Sequence, residues 1–153
     1  MKGIVVYDTS HGNTRAVAEA ISETLRESGM EVGTFYVKDV KKLSAKDNDF
    51  LVLGSPTKFG TMSLTVKGFL GKVKGDEWAN KPFAAFDTEN PPNMEKKEWS
   101  AAEKIAAVLR DKKLSQSLPV LRVLVLDWKG PLLEGEIERT KAYARELAGQ
   151  LKK

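Results

Sequence analysis

Five times along this chain a short apolar run is followed by a segment of a different period. That alternation restricts the fold more than any single motif does. Residues 2–7 (KGIVVY), 31–37 (EVGTFYV), 49–54 (DFLVLG), 81–87 (KPFAAFD) and 120–127 (VLRVLVLD) read as strands, the third and fifth nearly continuous in Val, Leu and Phe. Between and after them, residues 13–28, 63–73, 98–110 and 134–151 place apolar side chains at helical spacing, for example Val17, Ile21 and Leu25 in the first helix. "DVKKLSAKDN" reads as a short helical crossover, and Gly29 as a helix stop. Apolar strands joined through helices predict an α/β chain whose parallel sheet is covered on both faces. Right-handed crossovers leave only a few doubly wound orders. No linker, repeat or low-complexity stretch interrupts the pattern, so residues 1–153 are expected to form a single domain.

Composition excludes several chemistries. The chain has no Cys and one His, which rules out thiolate nucleophiles, Cys-held metals and multi-histidine metal centres. No apolar run reaches the length of a membrane span, and the amino terminus enters a strand directly, so a cytoplasmic protein with no membrane partner is expected. The formal charge of +4 raises nucleic acid as a partner. However, the 25 basic residues are interleaved with 21 acidic ones and no basic run is studded with aromatics, so no nucleic-acid partner is expected.

In a doubly wound sheet, ligands bind beyond the carboxyl ends of the strands. The segments that follow the strands are therefore the informative ones. After the first strand comes "DTSHGNT", with three hydroxyls, an amide, a Gly and the only His, at the start of a helix. Unpaired amides and the positive end of the helix dipole there attract an anion. Thr9, Ser10 and Thr14 add hydroxyls, Asn13 an amide, and Gly12 allows close backbone approach. With no Lys or Arg inside the turn, the loop suits anchoring a terminal phosphate better than transferring one. Other phosphate readers are missing their signatures: there is no GxxxxGK[ST], no GxGxxG, no DxD after the first strand, and Gly54-Ser55 rather than Asp closes the third.

These residues carry a resemblance. "TSHGNT" resembles the flavodoxin phosphate loop, [TS]-x-[TS]-G-x-[TS], and "LGSPTKFGTMS" resembles the second flavin loop of that superfamily. "GPLLEGEIERTKAYARELA" is similar to the ends of compact prokaryotic members, so the similarity runs the length of the chain. It implies a flavodoxin-like three-layer sandwich with a five-stranded parallel sheet in the order 2-1-3-4-5, as flavodoxin itself illustrates. It also implies a non-covalent FMN and electron exchange with redox partner proteins, in a monomer or weak homodimer. The implied cofactor contacts are Thr9, Ser10, His11, Gly12, Asn13 and Thr14; Ser55, Pro56, Thr57, Lys58, Phe59, Gly60 and Thr61; and Asp87, Thr88 and Glu89.

Gly60 is placed near flavin N5, where a cheap peptide reorientation would favour one-electron steps. Phe59 is a flavin contact, and Trp99 and Trp128 read as core or rim aromatics. Asp87 and Glu89, if they flank the ring, would oppose an anionic reduced flavin, and Lys58 would favour it. The chain departs from the family in three ways: His11 replaces a hydroxyl residue, the loop after the fourth strand lacks a Tyr, and the overall charge is basic rather than acidic. Two other readings stand beside the electron carrier: an FMN-dependent NAD(P)H:quinone oxidoreductase, and a flavin-free interaction module.

Overall fold

The computed structural model describes residues 1–91 and 96–153. The expected loop after the fourth strand thus falls partly outside the described residues. Strands β1 (Lys2–Tyr7), β2 (Glu31–Tyr36), β3 (Phe50–Pro56) and β4 (Pro82–Glu89) pair in parallel in the order β2-β1-β3-β4. Two short segments, β5 (Ser115–Gln116) and β6 (Leu121–Leu124), share the place beside β4 and complete the order 2-1-3-4-5.

Alternation along the strands sorts side chains into two cores. Val5, Tyr7, Phe50, Val52, Ala84 and Phe86 face α1 (Asn13–Glu27) and α5 (Glu136–Leu151), meeting Ile21, Leu25 and Leu147. Ile4, Val6, Leu51, Leu53, Phe83 and Ala85 face α2 (Leu64–Leu70), α3 (Gly75–Trp78) and α4 (Ala101–Asp111), meeting Val66, Phe69, Trp78, Ile105 and Leu109. Each such side chain, when fully buried, contributes about 1.5–3 kcal/mol. Close strand packing also uses Gly54, whose α-carbon lies against the ring of Phe86; a β-carbon there would sit 2.1 Å from it.

The structure corrects the sequence reading in three places. The crossover 39–48 contains no α-helix: a single 3₁₀ turn covers Val37–Asp39, and Val40, Leu43 and Ala45 then plug into the core along an irregular path. Too few apolar residues stand at helical spacing there to cover a face. The fifth strand, expected over 120–127, is only Leu121–Leu124, and a two-residue strand, Ser115–Gln116, precedes it beside β4; residues 117–120 between them oppose only residues 84 and 85. Pro119, with no N–H, stands in that gap. Beyond Leu124 the chain leaves the sheet, and Val125 bridges antiparallel to Leu132. Finally, α3 is an extra turn that carries the fully buried Trp78.

Candidate functional site

The loops at the carboxyl ends of β1, β3, β4 and β6 enclose a cleft of about 430 Å³. Its first wall is residues 8–14. The Asp8 amide donates to the Gly54 carbonyl (3.1 Å), and the Asp8 carboxylate accepts from the Thr9 amide (2.8 Å), which pins the loop to the sheet. The Gly12 amide donates to Thr9 Oγ1 (2.9 Å). Gly12 itself, at φ +88°, is the N-cap of α1, and no side chain caps this helix. A left-handed Gly there bends the chain into the helix without blocking its first-turn amides, which are left for a ligand. Thr9, Ser10, His11, Asn13 and Thr14 line the cleft. Thr14 Oγ1 and Thr88 Oγ1 share a hydrogen bond of 2.8 Å, which joins α1 to the end of β4.

The second wall is Pro56, Thr57, Lys58 and Phe59. Lys58 and Thr61 exchange backbone hydrogen bonds (2.9 and 3.0 Å) around Phe59 (φ +52°) and Gly60 (φ +77°), a two-residue turn with both central residues left-handed. Gly tolerates that conformation, whereas a Phe is strained in it. Phe59 is nonetheless held there with its side chain 100% exposed. Gly60 is buried beneath Trp99, where an added β-carbon would lie 2.9 Å from Cε3. A side chain at position 60 is therefore penalised in this conformation already, and not only in a turned one.

Thr88, Glu89 and Asn90 form the floor, and Val125 and Trp128 the far side. Glu89 is held bidentately by Arg122, with Nε–Oε2 2.9 Å and Nη2–Oε1 2.6 Å. Its charge is thus compensated, which weakens the opposition to a negative ligand that the sequence reading attached to Glu89. Asp87 stands apart from the lining. Its Oδ2 accepts from Ser100 Oγ (2.5 Å) and the Ala102 amide (3.1 Å) at the start of α4, while Oδ1, fully buried, has no partner. Burial, and then the neighbouring Glu89, hold the Asp87 carboxyl well above the usual aspartate range. Ser55 also lies away from the cleft: it is buried, donates to the Pro56 carbonyl (2.9 Å) and accepts from the Ser63 amide (3.0 Å). Gly12, Gly60 and Thr61 shape the loops without lining the cavity.

Three lining residues were not anticipated. Asn90 Oδ1 is buried without a partner at the cleft wall. Val125 and Trp128 arrive because the 125–132 excursion folds back on the first loop. Asn13 Nδ2 donates to the Lys129 carbonyl (3.0 Å), and the Trp128 ring meets His11 edge-on with centroids 5.1 Å apart. An aromatic between Asp127 and Lys129, in a polar loop after the fifth strand, was the sequence signal for this wall. Among the described residues no cluster of three or more His, Asp or Glu could hold a metal, and no helix is long and apolar enough to cross a membrane.

A family model described as a flavodoxin domain matches residues 4–124. Over 78 residues, half of this chain, the sequence is 40% identical to a flavodoxin of Aquifex aeolicus, covering 42% of that protein. Over 91 residues it is 30% identical to a flavodoxin of Clostridium saccharobutylicum, covering 59% of this chain and 57% of the relative. The chain thus matches about half the length of these curated relatives. A solved flavodoxin from the domain Archaea superposes along 100% of both chains with a TM-score of 0.83 and 28% identity.

Proposed function

The chain belongs to the flavodoxin family, and on that premise we propose that it binds FMN non-covalently in the cleft and serves as an electron carrier between redox partner proteins. The observation that carries this reading is the donor set of the first loop. It offers an uncapped helix N-terminus, three hydroxyls and an amide, with no lysine or arginine between Thr9 and Thr14. That is a seat for a terminal phosphate held by hydrogen bonds. The rest of the cleft fits as well. Its volume of about 430 Å³ lies in the range of small-ligand sites, roughly 300–1,000 Å³. The orphaned Asn90 Oδ1 requires a hydrogen-bond donor, and the imide N–H of a flavin ring is one.

When bound, FMN would supply the electron chemistry. The side chains supply position and field. Thr9, Ser10, Asn13 and Thr14 would hold the phosphate, with Thr14 itself fixed by Thr88. Phe59 and Trp128 present apolar surface on opposite sides of the cleft and limit water. Lys58 brings positive charge to the same cavity, and Arg122 cancels Glu89, so the wall does not repel negative charge arriving on the ligand. A cytoplasmic location is part of this proposal.

The test is an absorption spectrum of the purified protein titrated with FMN, followed by chromatography of the heat-released cofactor. A flavin spectrum with FMN released is expected. A protein that stays colourless in excess FMN, or that releases FAD, defeats the reading.

A further inference from the structure

The large exposed apolar side chains are not spread evenly. Apart from Met1 and Phe35, those among the described residues are Phe59, Leu64, Trp99, Leu126 and Trp128. All of these follow the carboxyl ends of β3, β4 and β6. Phe59 and Trp128 line the cleft, but Leu64, Trp99 and Leu126 do not, so a ligand in the cavity would not cover the whole patch. Large apolar side chains gathered around one end of the sheet, with a Phe held fully exposed against its backbone preference, mark a place where another molecule binds.

Charge says which kind. The segments that carry the patch, residues 57–64, 96–99 and 126–130, contain Lys58, Lys96, Lys97 and Lys129 against Glu98 and Asp127. Asp127 is engaged by the Lys129 amide (2.9 Å), and Lys97 lies 3.8 Å from Glu103. Lys96 and Lys129 lie over the rings of Trp99 and Trp128, at 5.1 and 4.8 Å from the centroids. Their charge is therefore held at the apolar surface instead of ranging through solvent. Aromatic centres ringed by lysines complement a protein face of the opposite sign.

We infer that the mouth of the cleft docks a small acidic one-electron carrier protein. This rests on the flavin-carrier reading, and it specifies the partner's charge as the reverse of what an acidic flavodoxin would select. Docking brings the partner's redox centre over the cleft, and one electron leaves the reduced protein as one partner metal ion is reduced.

The experiment uses the FMN-loaded protein, chemically reduced, and rubredoxin, a small acidic iron–thiolate protein, as the probe. FMN affinity is measured first by fluorescence titration. Stopped-flow absorbance then follows conversion of ferric to ferrous rubredoxin, with basic cytochrome c as the comparator. Raising the salt from about 20 mM to about 300 mM should slow the rubredoxin reaction about tenfold and leave the cytochrome c reaction equal or faster. The double variant Lys96→Glu with Lys129→Glu should react about tenfold more slowly with rubredoxin at low salt and show a flattened salt dependence, its FMN affinity unchanged. A rubredoxin rate that is flat or rises with salt, or a double variant that matches wild type, overturns the docking inference while FMN binding stands. A wild type that takes up no FMN overturns the carrier reading and this inference together.

Discussion

The two ends of the sheet use the same residue type in different ways. At the amino ends of the strands, lysines satisfy backbone carbonyls. Lys81 Nζ donates to the carbonyls of Ala45 and Asn48, Lys112 to Val73 (3.0 Å), and Lys152 to Ser28 (2.6 Å). These carbonyls belong to turns and helix ends, and each ammonium closes one connection onto another. At the carboxyl ends, Lys96 and Lys129 lie over exposed tryptophans, and Lys58 lines a cleft. One end is closed by its own hydrogen bonds. The other leaves amides, rings and charges for something outside the chain. The lesson is that stability and binding are segregated along the strand axis, so substitutions should separate them cleanly.

The largest effect is expected at the open end. Ser10→Asp places a carboxylate where the phosphate would sit, and FMN affinity should fall by several kcal/mol, on the order of 3. The melting temperature of the flavin-free protein should hardly move. An unchanged dissociation constant by fluorescence titration would put the phosphate elsewhere.

Lys81→Met makes the opposite cut. It strips the donor from two carbonyls at the closed end, and unfolding in urea should show a loss of about 2 kcal/mol. FMN affinity at low temperature should match wild type; if affinity falls along with stability, the two ends are coupled.

Gly60→Ala asks how much strain the open end stores. A β-carbon at positive φ, pressed against Trp99, should cost about 1–2 kcal/mol of folding stability. It should also shift the Trp99 fluorescence. A neutral result in both measurements would mean that the turn relaxes freely.

Asp87→Asn lies between the two ends and has the smallest effect, with a definite sign. The native carboxyl keeps its proton to a higher pH than the unfolded one does. Unfolding therefore releases a proton over that window, and wild-type stability declines as pH rises from the ordinary aspartate range toward the raised native value. The groups around it are Glu89, Arg122, Ser100 and the Ala102 amide. Asparagine cannot titrate, and its amide offers a donor beside Glu89. The variant should thus be more stable than wild type by about 1 kcal/mol at pH 8 and nearly equal near pH 4. Stability curves that run parallel from pH 4 to 8 contradict this.

Much of the fold was legible because local signals agreed. Val17, Ile21 and Leu25 announced α1, Gly29 ended it with φ +92°, and the apolar runs of β1 and β3 became strands buried on both faces of the sheet. The first loop was legible too, since every lining residue from it lies in one contiguous string. The far wall was not. Trp128 reaches the cleft only because Asn13 bonds the Lys129 carbonyl across 116 positions, and no local pattern encodes that approach. The compensation of Glu89 depends on Arg122 in a neighbouring strand. Asp87 turns to the start of α4, where Ser100 and the Ala102 amide meet it, and contacts across 13 and 15 positions are likewise not encoded in local spacing.

The split beside β4 has a consequence for how this molecule meets its own copies. A sheet margin with a regular run of open N–H and C=O groups invites a strand from another molecule and can seed aggregates. Here the outer margin is interrupted at residues 117–120. Pro119 has no N–H to offer, and its carbonyl is taken by the Tyr143 hydroxyl (2.8 Å). The Leu118 carbonyl is taken by Gln116 Nε2 (3.0 Å), and the Ser117 amide turns inward to Phe83 (3.0 Å). An incoming strand would find two short templates out of step by two residues and could not zip along both. The interruption thus acts as a guard against strand addition at that margin.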